Sequence, residues 1–124
     1  MNLADYFENT IGTGVLATSN SDGNVDAAIY ARPYVIDEKT VAFSMLERLS
    51  YANVKSNPKA AYLFIEQGVA HVGKRLYLTN IDEEKDPQKV KAIKEQHSRI
   101  PHSKDTKKHL MYFSVDKIRP LVGD

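Results

Sequence analysis

The chain has no cysteine. That excludes a disulfide framework, a thiolate metal site and a cysteine nucleophile, and it fits a reducing compartment. Net charge is nearly absent as well: 17 lysines and arginines against 16 aspartates and glutamates leave +1. Such a balance gives no reason to expect nucleic acid or a membrane surface as a partner. Long apolar runs are missing too. The longest, Ala60 to Ile65, is far short of the ~20 residues a membrane-spanning helix needs. The start does not resemble a secretory leader, because Asp5 and Glu8 interrupt it. The expectation is a cytoplasmic protein of one domain, residues 1–124, with one core.

Several kinds of chemistry are also lacking. The histidines His71, His97, His102 and His109 are not spaced as ligands one helical turn apart, so no metal is expected. His71 follows a turn and precedes Gly73; it suits either contact with a flavin or haem or, more commonly, an exposed loop. The serines lie in turns and none sits in a nucleophile elbow, so no catalytic residue is assigned. The lysines between Gln88 and Gln96 make a solvated face rather than a nucleic-acid surface, given Glu83, Glu84 and Asp86 beside them.

What is present is mostly strand. Leu3, Tyr6, Phe7 and Ile11 recur at helical spacing, with Asn2 as cap and Gly12 as stop. Gly14 to Ser19 is a first strand, and Asn20-Ser21-Asp22-Gly23 a turn. Val25 to Ile36 reads as one longer strand in which Pro33 breaks the alternation, marking an edge, a bulge or an end. Asp37-Glu38-Lys39 turns into Val41, so the first three strands are expected to form a meander. Ala60 to Ile65, Lys74 to Ile81 and Leu110 to Ile118 complete the set, with Leu76 and Leu78 on one face and Met111, Phe113 and Val115 on another. Asp86-Pro87 opens a helix whose Val90, Ile93 and His97 share a face. Residues 98–107 are polar and read as a loop. Six strands and three helices in a chain of this length predict a mainly β fold, barrel or sandwich.

The stretch from Thr40 to Ile65 carries the functional signal. Strand residues give way to Ser44, Glu47, Arg48 and Ser50, then to a short helix over Tyr51 to Ser56, stopped by Pro58. A helix N-terminus beside an arginine, at the end of a strand, suits a phosphate. Two readings of Ser50 are open: an ordinary helix cap, or a phosphate ligand. Tyr30, Tyr34, Tyr62 and Tyr77 lie in strands, where tyrosines either stack on a flat ring or fill a barrel or dimer interface.

Taken in order, Gly14-Val15-Leu16-Ala17-Thr18, Asp22-Gly23, Ala31-Arg32-Pro33, Phe43-Ser44-Met45 and Ala52 to Ala60 with its Asn57-Pro58 resemble one family. It is the FMN-binding split barrel of pyridoxamine 5′-phosphate oxidase and its small relatives; the closing Arg119-Pro120-Leu121-Val122-Gly123 is also similar to endings of small members. The resemblance implies a six-stranded, Greek-key-like split barrel with FMN between the two subunits of a homodimer. It places the phosphate at Ser44, Arg48, Ser50 and Asn53, and the flavin ring along Tyr30, Ala31, Arg32 and Pro33 and along Phe43, Ser44 and Met45. Two departures stand out. Leu49 and Ser50 occupy positions where several relatives carry a phosphate-binding lysine, so Arg48 or Lys55 has to substitute. The arginines and histidine that grip pyridoxine phosphate are not recognisable, so that oxidase activity is not expected. The implied function is a small flavin-dependent oxidoreductase or electron-transfer flavoprotein. The alternatives are the same barrel with deazaflavin or haem, or a cofactor-free scaffold.

Overall fold

The computed structural model describes residues 2–68, 70–97 and 108–123. The polar segment 98–107, including His102, lies outside the described residues. In chain order the elements are α1 (Leu3–Asn9), β1 (Gly12–Ser19), β2 (Val25–Ile29), β3 (Tyr34–Asp37), β4 (Thr40–Leu46), α2 (Leu49–Ser56), β5 (Lys59–Glu66), β6 (Gly73–Glu84), α3 (Pro87–Gln96) and β7 (Lys108–Pro120). The strands form one antiparallel sheet in the order β2-β1-β5-β6-β7-β4-β3.

That order corrects two expectations. Among the described residues there are seven strands rather than six, because the run from Val25 to Ile36 breaks into β2 and β3. The expected meander does not form either: β2 pairs with β1, β3 pairs with β4, and the two lie at opposite edges of the sheet. Pro33, with fixed φ and no N–H to give a ladder, sits in the break. Only residues 30–33 join the two edges. The five Cα steps from Ile29 to Tyr34 reach at most about 17 Å, so the sheet has to curl until its edges nearly meet. The result is a barrel closed by chain rather than by a hydrogen-bond ladder.

The closing segment is tied down on both sides. Tyr30 N donates to Gly14 O at 3.0 Å. The Tyr62 hydroxyl lies 3.2 Å from Tyr30 O and 3.1 Å from Ala31 O. Arg32 Nη1 donates to Phe7 O and Thr10 O at 2.8 and 2.9 Å, holding the end of α1. Glycine is required at position 14, where a Cβ would lie 1.8 Å from Tyr62 Oη.

Alternate residues of the strands fill the barrel. Leu16, Phe43, Tyr62, Phe64, Leu76 and Phe113 are buried there, and Leu3 and Phe7 of α1 close one side. Phe7, Phe43, Tyr62 and Phe64 meet at centroid distances of 4.9–6.3 Å. A second, smaller cluster lies outside, where Val90 and Ile93 of α3 pack on Tyr34, Ala42 and Leu110. Helix α1 begins as expected, with Asn2 Oδ1 accepting from Asp5 N, but it stops at Asn9 instead of continuing through Ile11. Gly12 does not merely end the helix: it opens β1, paired with Glu66, and sheet pairing overrides the helical spacing. In α3 the Asp86 carboxylate accepts from Gln88 N, with Pro87 in the first turn, as the sequence pattern implies. No helix among the described residues is long and apolar enough to cross a membrane.

Candidate functional site

The gap between the sheet edges opens into a cleft of about 390 Å³, within the ~300–1,000 Å³ usual for small-molecule sites. One wall is Asp26, Ala28 and Ile29 of β2, continued by Tyr30, Ala31 and Arg32 of the closing segment. The other wall is Tyr34 of β3 with Phe43, Ser44 and Leu46 of β4. Arg48, Leu49 and Ser50 at the start of α2 and Lys108 of β7 complete the lining.

Of the residues picked out by sequence, Tyr30, Ala31, Arg32, Phe43, Ser44, Arg48 and Ser50 line this cleft. Pro33, Met45 and Asn53 do not. Pro33 lines a smaller cavity of about 220 Å³ beside α1 and His97. Met45 is fully buried in the barrel core, since alternation along β4 turns it away from Ser44 and Leu46. Asn53 is buried under α2, where its Nδ2 donates to Thr18 Oγ1 at 3.1 Å and ties the helix to β1. Asp26, Ala28, Ile29, Leu46, Leu49 and Lys108 line it without having been expected there, and Tyr34, one of the strand tyrosines open to ring stacking, lines it too. Leu46 was recoverable from the two-residue repeat that puts it on the face of Ser44; Lys108 carries no local signal.

The start of α2 corrects the reading of Ser50 as its cap. Arg48 is the N-cap residue, extended at φ −130° and ψ −163°, with no side-chain cap hydrogen bond. Ser50 falls inside the helix and is buried. Burial pushes the Tyr30 phenol above its ordinary pKa, and the nearby Ser50 hydroxyl opposes that in part. Tyr30 also meets Phe43 edge to face at 6.1 Å. The cleft therefore has an aromatic, mostly apolar flank and a polar end that carries Arg48.

Ser44 Oγ is buried and has no hydrogen-bond partner among the described residues. An unpaired buried hydroxyl costs about 1–3 kcal/mol, and Ser44 is a residue of the cleft wall.

Next to the cleft, His109 of β7 lies between two carboxylates. Its Nδ1 is 2.7 Å from Glu83 Oε2 and its Nε2 is 2.7 Å from Glu47 Oε1. Tyr51 of α2 stacks on the imidazole at 4.2 Å and 15°. The hydrogen bond to Glu83 does most to hold the His109 pKa above its usual value, against burial, with Glu47 adding to it. Glu47 directly precedes Arg48, so this contact fastens the turn that presents Arg48. Among the described residues no group of three or more His, Asp or Glu side chains is placed to hold a metal ion. His71 is exposed in the β5–β6 turn, at φ 62°.

No protein-family model matches this chain, and neither does any curated protein. Solved structures do match, over nearly its whole length. An FMN-binding protein from Syntrophomonas wolfei superposes with TM-score 0.76 at 18% identity, covering 99% of this chain and 86% of that one. An F420 reductase gives 0.65 at 15% identity over 93% and 94%. A Clostridium acetobutylicum protein related to general stress protein 26 of Bacillus subtilis, of the pyridoxinephosphate oxidase family, gives 0.63 at 13% identity over 87% and 78%. The chain has the fold of the split-barrel proteins that include FMN-binding and pyridoxamine 5′-phosphate oxidase-like members.

Proposed function

We propose that the cleft binds FMN and that the protein acts as a homodimeric flavin-dependent oxidoreductase or electron-transfer flavoprotein. The observation that carries this reading is the cleft itself. A Tyr30–Phe43 flank suits a flat ring system, Arg48 at the start of α2 suits a phosphate, and the buried Ser44 hydroxyl lacks a partner in the wall between them. A bound flavin would supply the redox chemistry. The chain's own residues bind, orient and exclude water, and none of them needs to act as acid or base. Pairing of two copies is supported by the apolar side chains that β2 leaves on the outside, Val25 at 82% and Ile29 at 72% exposure. Ile29 also lines the cleft, so a partner seated there would complete its wall.

A deazaflavin is the second reading, favoured by the fold shared with an F420 reductase. Titration of the purified protein with FMN and with F420, followed by absorbance and fluorescence, separates the two. The expected result is saturable, one-per-subunit FMN binding. Arg48→Ala should weaken it about ten- to a hundredfold, the range for one charge-assisted hydrogen bond. Preference for F420 would transfer the site to the deazaflavin, and a colourless protein binding neither would remove both.

A further inference from the structure

We infer that His109 is a positioning residue for the cleft: while protonated it latches Glu47 away from the rim, and loss of the proton weakens the hold on an anionic ligand. The inference rests on the flavin reading for the identity of the ligand, but not for the latch. From Leu46 to Ser50, where β4 turns into α2, every residue lines the cleft except Glu47. The Glu47 carboxylate lies instead 2.7 Å from His109 Nε2, while Glu83 lies 2.7 Å from Nδ1. An ionised carboxylate can only accept a hydrogen bond, and a neutral imidazole has a single N–H. Both contacts together therefore require the imidazolium, with each ring nitrogen donating. Glu83 does most to keep that charge in place, against burial, and Glu47 adds to it.

When the proton leaves, one carboxylate has to let go. The Glu83 side chain, on β6, is 16% exposed and that of Glu47 is 66% exposed, so Glu47 is the one that water takes. The other charged and titratable groups about the ring come from three elements. In α2, Tyr51 stacks on the imidazole and Lys55 lies 5.7 Å from the centre of the Tyr51 ring. Past the end of β6, Lys85 acts on Tyr51, and Glu84 accepts from the Tyr112 hydroxyl at 2.6 Å. In β7, Lys108 precedes His109. Among the described residues, His109 is the side chain that holds Glu47. Release unfastens the turn next to Arg48 and frees a negative charge at a rim where Asp26 is already an acid of the lining. Both effects act against an anion within a Debye length, and neither acts on a neutral ring system.

The test is calorimetric titration of the full chain with FMN, riboflavin and sulfate, with thermal melts alongside. It compares about pH 7 with about pH 9, both above the ~6 at which a phosphate monoester takes its second charge. The proteins are wild type, Glu47→Gln, His109→Phe, which keeps a ring on Tyr51 and removes both N–H groups, and the double variant. Wild-type FMN affinity should fall about three- to tenfold from the lower pH to the higher, with riboflavin affinity unchanged. His109→Phe should be weak at both values, and Glu47→Gln and the double variant tight at both. A double variant as weak as His109→Phe would make His109 a structural residue and overturn the inference. Should His109→Phe fail to fold, Glu47→Gln decides alone: a pH response equal to that of wild type would sink the latch. A level wild-type FMN affinity would also sink it and leave the flavin reading standing. Sulfate binding with the expected pattern, in a protein that takes no flavin, would do the reverse. Binding of neither flavin nor sulfate to the wild type would remove both.

Discussion

Tyr62 shows how much one polar atom does in this protein. Its ring is part of the aromatic core, and its hydroxyl reaches the carbonyls of Tyr30 and Ala31, which line the cleft. Burial raises the phenol's pKa, and nearby Arg32 offsets this in part. Tyr62→Phe keeps the packing and removes the hydroxyl, so those carbonyls lose a partner. The expected cost is about 1–2 kcal/mol of stability, read as a lower melting temperature, with weaker flavin binding because the cleft wall is less firmly held. Gly14→Ala should cost more, because its methyl would sit 1.8 Å from the same hydroxyl and 2.7 Å from Tyr30 O. A melt showing Gly14→Ala as stable as wild type would mean that the closing segment packs differently. The strand tyrosines read from sequence as ring-stacking or barrel-filling residues; Tyr62 fills the barrel, and no local pattern marks the reach of its hydroxyl.

At the scale of an element, the turn from β4 into α2 is held from outside the cleft by His109 and Glu47. The His109 pKa is raised in the folded protein, first through Glu83 and then through Glu47. A histidine whose folded pKa lies above its unfolded value adds stability that is complete below the unfolded value and disappears as pH rises through the folded one. The contribution should therefore be full below its ordinary value of 6.5 and decline with rising pH above it. Melting temperatures of wild type and His109→Gln should differ most in mild acid and converge toward alkaline pH; a gap that widens with pH would contradict this. Much of this element was legible. The change from Val41-Ala42-Phe43 to Ser44, Glu47, Arg48 and Ser50 located the strand end and the helix start, because local composition follows local backbone. The identity of the cap was not legible, because a serine two residues late looks like a cap until the tight bond from Arg48 N to Leu46 O shows where the chain turns. Nor was the place of Lys108 in the cleft lining, which depends on β4–β7 pairing across more than sixty residues of chain.

For the whole molecule, the strand pattern showed a small barrel, while the sheet order stayed hidden. Val25 to Ile36 alternates well enough to pass for one strand; only closure of the sheet decides that its halves go to opposite edges. Dimerisation is the prediction that belongs here. Light scattering at micromolar concentration should give twice the chain mass, and Val25→Lys with Ile29→Lys should halve it, because both side chains are largely exposed in the single chain. The split itself has a consequence for exchange with solvent. On the sides of β2 and β3 that face the gap, no strand among the described residues pairs with the backbone amides, whereas β5, β6 and β7 are paired on both sides. In deuterated water, amides of β2 and β3 should exchange orders of magnitude faster than those of β5 and β6. Whatever fills the cleft would slow exchange there first, so the two edge strands are built-in reporters of occupancy.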